Sequence, residues 1–138
     1  MLRLDQTITL GSGLQIMNLA VADLNGDGHL DLATADNQGG SVSVLLGDGD
    51  GGFAASTSVS VVVNTHIIAL GDVNGDGIPD LATVDEAPHD FAVRLGDGAG
   101  GFGAPSSIVR VGVSPIDLVL GDLDGDGHLD AVVTNAAS

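Results

Sequence analysis

The chain contains no cysteine, tryptophan, tyrosine or lysine, and among its 138 residues only Arg3, Arg94 and Arg110 stand against 19 acids. Without cysteine there is neither a disulfide framework nor a thiolate metal site, although this does not decide the compartment. A formal net charge of -16 makes nucleic acid and anionic membranes unsuitable partners. No apolar run approaches the roughly 18 residues of a membrane helix. Met1 is followed by Leu-Arg-Leu-Asp and strand-like sequence rather than a signal peptide, so the chain is expected to begin inside a domain. Aromatics make up only 2%, Phe53, Phe91 and Phe102. The core must therefore be built of Val, Leu, Ile and Ala, which bury less area per residue than large rings. No Ser, Cys or Lys nucleophile occupies a recognisable motif, and His66 and His89 lack the spacing of a metal or catalytic set, so no enzyme is expected.

What the chain has is a hydrophobic fraction of 43%, enough for a core, and one acidic nonapeptide written three times: DLNGDGHLD from Asp23, DVNGDGIPD from Asp72 and DLDGDGHLD from Asp122. Oxygen-bearing side chains fall at positions 1, 3, 5 and 9, with glycine after position 5 where the backbone must turn. Carboxylates packed this densely repel one another unless a cation sits between them. The expected side-chain ligands are Asp23, Asn25, Asp27 and Asp31 in the first loop, Asp72, Asn74, Asp76 and Asp80 in the second, and Asp122, Asp124, Asp126 and Asp130 in the third. The backbone carbonyls of His29, Ile78 and His128 complete the sets at position 7, leaving the two imidazoles to face solvent. Hard oxygen ligands in this number suit Ca²⁺ better than Mg²⁺, which wants fewer ligands and stricter octahedral geometry. About three calcium ions per chain are expected, and they would bring the net charge from -16 to about -10. The third loop carries four carboxylates where the others carry three, and should be the least stable when empty. An EF-hand needs Glu at position 12, where this chain has Thr34, Thr83 and Val133, and an RTX array needs recurrence every nine residues.

The nonapeptides recur at spacings of 49 and 50 residues, the period of a propeller, solenoid or array. Short apolar runs precede them at 18–22, 67–70 and 116–120 and follow them at 30–35, 81–84 and 129–134, so each acidic loop joins two strands. Third strands are predicted at 41–46 and 91–95, ending in the glycine-rich turns GDGDGGF from Gly47 and GDGAGGF from Gly96. Asp48, Asp50 and Asp97 are read there as turn formers, with a secondary cation site as the alternative. Fourth strands follow at 58–63 and 108–113. The predicted fold is all-β, propeller blades of four antiparallel strands, with about three repeats and thus an incomplete propeller. Residues 1–15 would hold the outer strand of a partial blade (Thr7 to Leu10), 16–64 the first repeat, 65–114 the second, and 115–138 the first half of a third.

The Asp-rich loop followed in constant register by LLGDGDGGF or RLGDGAGGF, and then by Gly103-Ala104-Pro105, resembles the FG-GAP or VCBS-type repeats of integrin α-chain propellers and microbial surface proteins. The resemblance covers essentially the whole chain, although GGFAAS from Gly51 lacks the proline that GGFGAP has. It implies a calcium-stabilised binding, adhesion or assembly scaffold from a secreted or surface protein. Carbohydrate binding of propeller type is the alternative, against which the scarcity of aromatic stacking faces counts. A designed or trimmed repeat protein whose property is assembly is a third reading. Because a propeller needs 4 to 8 blades, either homo-oligomerisation, with a dimer favoured over a trimer, or excision from a larger propeller is expected.

Overall fold

The computed structural model describes residues 7–8, 14–54, 57–61 and 65–137. Ten strands and no helix occur among them: β1 (Ile16–Ala22), β2 (Asp31–Asp36), β3 (Ser41–Leu45), β4 (Thr57–Ser60), β5 (Thr65–Gly71), β6 (Asp80–Asp85), β7 (Asp90–Gly96), β8 (Phe102–Arg110), β9 (Val113–Gly121) and β10 (Asp130–Ala137). They form two four-stranded antiparallel sheets, β1-β2-β3-β4 and β5-β6-β7-β8, and a two-stranded one, β9-β10. This is the expected all-β array of propeller-type blades, two complete and one half built.

The blades stack face on face, β1 against β5 and β5 against β9. Alternation along each strand sorts the side chains into one small face and one large face. The small face of blade 1, Ala20, Ala33, Ala35 and Val42, packs on Ile68, Leu70 and Leu81 of blade 2. The opposite face of blade 2, Ile67, Ala69, Ala82 and Val84, packs with Phe91 on Leu118, Leu120 and Val133 of blade 3. Alanine at the strand centres lets the sheets approach while the larger residues fill the gap. Each fully buried Val or Leu, such as Val42, Val44, Leu81 and Val84, contributes about 1.5–3 kcal/mol.

Three boundaries differ from the pattern reading. The fourth strand of blade 2 starts at Phe102 rather than at residue 108 and runs through Pro105. Proline is admitted because β8 is an edge strand and the pairing shifts register on both sides of the Arg94–Pro105 pair, so no ladder N–H is needed there. Val113, read as the end of that strand, instead begins β9, inside the span assigned to repeat 2. Of the opening strand, Thr7 and Ile8 lie in no strand, while residues 9 and 10 lie outside the described residues, as do 62 and 63 at the end of the first fourth strand.

Candidate metal centre

Each acidic nonapeptide is the hairpin connection between the first two strands of a blade, β1 to β2, β5 to β6 and β9 to β10. The first and second loops lie side by side and border an open cleft of about 450 Å³ lined by Asp23, Leu24, Asn25, Gly77, Ile78 and Pro79 among others.

The backbone path is set by the aspartates themselves. In the first loop Asp23 Oδ1 accepts the N–H groups of Gly26 and Asp27, at 2.8 and 3.2 Å, and its Oδ2 accepts that of Gly28 at 2.9 Å. Asp27 Oδ1 accepts the N–H of His29 at 2.8 Å. The second loop repeats this with Asp72 accepting from Gly75, Asp76 and Gly77, and the third with Asp122 accepting from Gly125, Asp126 and Gly127. The N–H of Gly77, then desolvation acting in the opposite sense, then Gly75 and Asp76 leave Asp72 below the usual carboxylate range. Asp27 is lowered chiefly by the N–H of His29 and next by the Asn25 amide.

Position 3 separates the copies. Asn25 and Asn74 donate through Nδ2 to Asp27 and Asp76, at 2.9 and 2.8 Å, so an amide relieves the local negative charge. Asp124 has no proton to give. In the third loop one carboxylate oxygen each of Asp122, Asp124 and Asp130 lies within 4.8 Å of the others, while Asp126 stands outside that group and holds the N–H of His128. Three converging carboxylates reached by backbone N–H donors alone form a donor set that fits a hard divalent cation.

Position 9 has a second task that the spacing does not reveal. Asp31 and Asp80 are fully buried. Asp31 Oδ2 accepts the N–H of Leu24 at 2.7 Å, and its Oδ1 accepts that of Gly47 at 2.8 Å. Asp80 does the same with Val73 and Gly96, at 3.0 and 2.9 Å. The position-9 carboxylate thus ties the acidic loop to the end of the third strand, where the glycine-rich turn begins. A Cβ at Gly47 would lie 2.3 Å from the Leu30 carbonyl oxygen, and one at Gly96 equally close to that of Pro79. The position-7 side chain then covers the same turn: the exposed His29 ring lies over Gly49 and Ile78 over Gly98, both glycines at positive φ. This explains why loop and turn recur together in one register. In blade 3 only Asp130 Oδ2 is engaged by a backbone donor, the N–H of Leu123 at 3.0 Å, among the described residues.

A model of the FG-GAP-like repeat matches residues 23–83 and again 72–133. The chain belongs to the FG-GAP-like repeat family. The two matched windows each open on the first aspartate of an acidic loop and extend through the following loop. No curated protein and no solved structure matched the chain.

Asp48 and Asp97 hold the glycine-rich turns of the FG-GAP-like repeat. Asp48 Oδ1 accepts the N–H groups of Asp50 and Gly52, and Asp97 Oδ1 those of Ala99 and Gly101. The latter pair, Ala99 first, lowers the Asp97 carboxyl. Two further buried carboxylates lie outside the nonapeptides and the glycine-rich turns. Asp36 and Asp85, at the far end of strand 2 in blades 1 and 2, are almost wholly buried. Asp36 accepts the N–H groups of Gln15 and Gln38, whereas Asp85 takes the Thr65 hydroxyl. Burial raises the Asp85 carboxyl against the lowering effect of Thr65. The repeated segments DLATAD and DLATVD carried this signal. His66 pairs with Glu86 at 3.5 Å, and His89 sits at positive φ where its carbonyl accepts the N–H of Val111, so neither joins a metal or catalytic cluster among the described residues.

Proposed function

We propose that this FG-GAP-like chain is a non-catalytic, calcium-stabilised propeller module that serves as a binding, adhesion or assembly scaffold, with about three Ca²⁺ ions held by the acidic loops. The observation that carries the reading is the convergence of Asp122, Asp124 and Asp130 within 4.8 Å. In the other two loops Asp23, Asn25, Asp27 and Asp31, and Asp72, Asn74, Asp76 and Asp80, supply the same positions, and the carbonyls of His29, Ile78 and, in the third loop, His128 are the position-7 donors. The carboxylates of Asp31 and Asp80 have further lone pairs beyond those taken by backbone N–H groups, and these can turn to an ion. Bound calcium would neutralise the loop charge and so fasten each blade's first hairpin. Weak sites of this kind suit extracellular or cell-surface calcium near the millimolar range. The propeller is completed by homo-oligomerisation, a dimer before a trimer, or by the other blades of a larger propeller. Carbohydrate binding is the second reading, and a glycan array without a calcium-dependent hit would remove it.

Calorimetric titration of EDTA-stripped protein with calcium tests the proposal. About three equivalents should bind, and Asp122→Ala should remove one of them. Absence of saturable binding up to millimolar calcium would overturn it.

A further inference from the structure

The internal repeat shows what covers each blade face, and among the described residues one face of each kind stays bare. Leu19, Ile68 and Leu118 occupy the same position on the large faces of blades 1, 2 and 3. Ile68 and Leu118, each covered by the preceding blade, are 4% and 5% exposed, whereas Leu19 is 61% exposed. On β1 the side chains turned outward are Met17, Leu19 and Val21, while Asn18, Ala20 and Ala22 turn to blade 2. At the other end the small-face positions filled by Ala33 and Ala82, both 0% exposed, are taken in blade 3 by Val132, at 43%. Its neighbour across the strand pair, Val119, stands where Ala20 and Ala69 stand and is likewise bare. Exposed valine and leucine on matching faces of a fold this polar at its loops mark interaction surfaces.

We propose that the blade-1 face carrying Leu19 and Val21 docks, head to tail, on the blade-3 face carrying Val119 and Val132 of a second copy of this chain. The proposal rests on the assembly half of the function proposed above and is independent of its calcium half. The occupant is a second copy because the contact continues one the chain already makes twice, the Ala33 or Ala82 face of one blade on the next, with valine in place of alanine at 119 and 132. Two further features fit that docking. Asn18 Oδ1 accepts the Ile68 N–H across the blade 1–blade 2 contact at 3.3 Å, and Asp117 stands at the corresponding place in blade 3, where its Oδ1 accepts the Leu118 N–H at 2.9 Å and its second oxygen would take the Leu19 N–H of the incoming copy. Leu24 of the first loop is buried at 2% where its carbonyl accepts the N–H of Gly100 from the glycine turn of the next blade. Its counterpart in the third loop, Leu123, is 67% exposed, and the incoming copy offers Gly51 at the position of Gly100. The contact is heterologous, and two copies would place about six blades around one axis, within the range that closes.

The polarity makes the proposal testable without knowledge of any other partner. Leu19→Asp blocks one face and Val132→Asp the other. Sedimentation velocity at tens of micromolar in millimolar calcium should show the native chain as a dimer and each variant alone as a monomer. An equimolar mixture of the two variants should restore a species of twice the chain mass through the single intact junction, with at least tenfold tighter association than either variant shows with itself. Circular dichroism identical to the native spectrum certifies that both variants fold. If either does not, Leu19→Cys and Val119→Cys replace them, and a disulfide should form between the two different variants and not within either alone, against a background without cysteine. A native chain that stays monomeric while binding calcium would overturn this inference and leave the calcium reading standing. Dimerisation of Leu19→Asp with itself would also overturn it, because it would reveal an isologous contact.

Discussion

At the scale of single residues, the position-9 aspartates carry the largest share of local structure. Each oxygen of Asp31 and of Asp80 takes one backbone N–H, and the groups are buried. Asp31→Asn or Asp80→Asn sets an amide nitrogen against one of those N–H groups, which should cost about 1–3 kcal/mol. Asp130→Asn, with one backbone donor to lose, should cost less. Urea unfolding in EDTA measures these differences apart from any ion. Gly47→Ala drives a methyl to 2.3 Å from the Leu30 carbonyl, a backbone clash expected to cost about 1–3 kcal/mol in the same assay. Asp85 works in the opposite sense from the loop acids. Its carboxyl is raised by burial, so the folded state holds its proton to higher pH than the unfolded state does, and stability falls as pH rises from the ordinary carboxylate value through the raised folded value. Asp85→Asn, which keeps an acceptor for the Thr65 hydroxyl, should therefore gain on the native chain in thermal melts as pH rises through and above the ordinary carboxylate range. A constant difference across that range would contradict the assignment.

At the scale of elements, the third loop differs from its sisters by one residue with two consequences of opposite sign. Asp124 replaces the asparagine that elsewhere donates to position 5, and it adds a third carboxylate to a group within 4.8 Å. Two unit charges at such a distance cost about 1 kcal/mol even in water. Asp124→Asn should thus raise the stability of the EDTA-treated chain by about 0.5–1 kcal/mol while weakening calcium binding at that loop by about tenfold or more, read by melting and by titration respectively. The strand–loop–strand units and the blade repeat were legible in the sequence because a 49- or 50-residue period shows the same apolar runs on both sides of every nonapeptide. Less legible was the course of β8, since Pro105 speaks against a strand unless the edge position and the register shifts around Arg94 are known. Nor could spacing show that Asp31 reaches Gly47, since that hydrogen bond joins residues 16 apart and depends on how β2 and β3 pair. The small and large faces were also hidden, because Ala and Val both read as apolar until the stacking of blades assigns one to each side.

At the scale of the whole molecule, the chain combines a small-residue core with a charge of -16 and no disulfide. Self-repulsion of that size opposes the compact state in the absence of bound cations. If each site had a dissociation constant near about 10 μM and met about 1 mM calcium, linkage would add about 2.7 kcal/mol per site. Three such sites would contribute roughly 8 kcal/mol, comparable to the whole stability of an ordinary domain. On the proposed reading calcium is a component of the fold, and the third blade carries the site most dependent on it. Thermal unfolding of the same preparation in EDTA and in millimolar calcium tests this most directly. The account predicts a midpoint that rises steadily with free calcium, by 10 °C or more on the order expected for several kcal/mol in a domain of this size. Superimposable melting curves in EDTA and in calcium would contradict it.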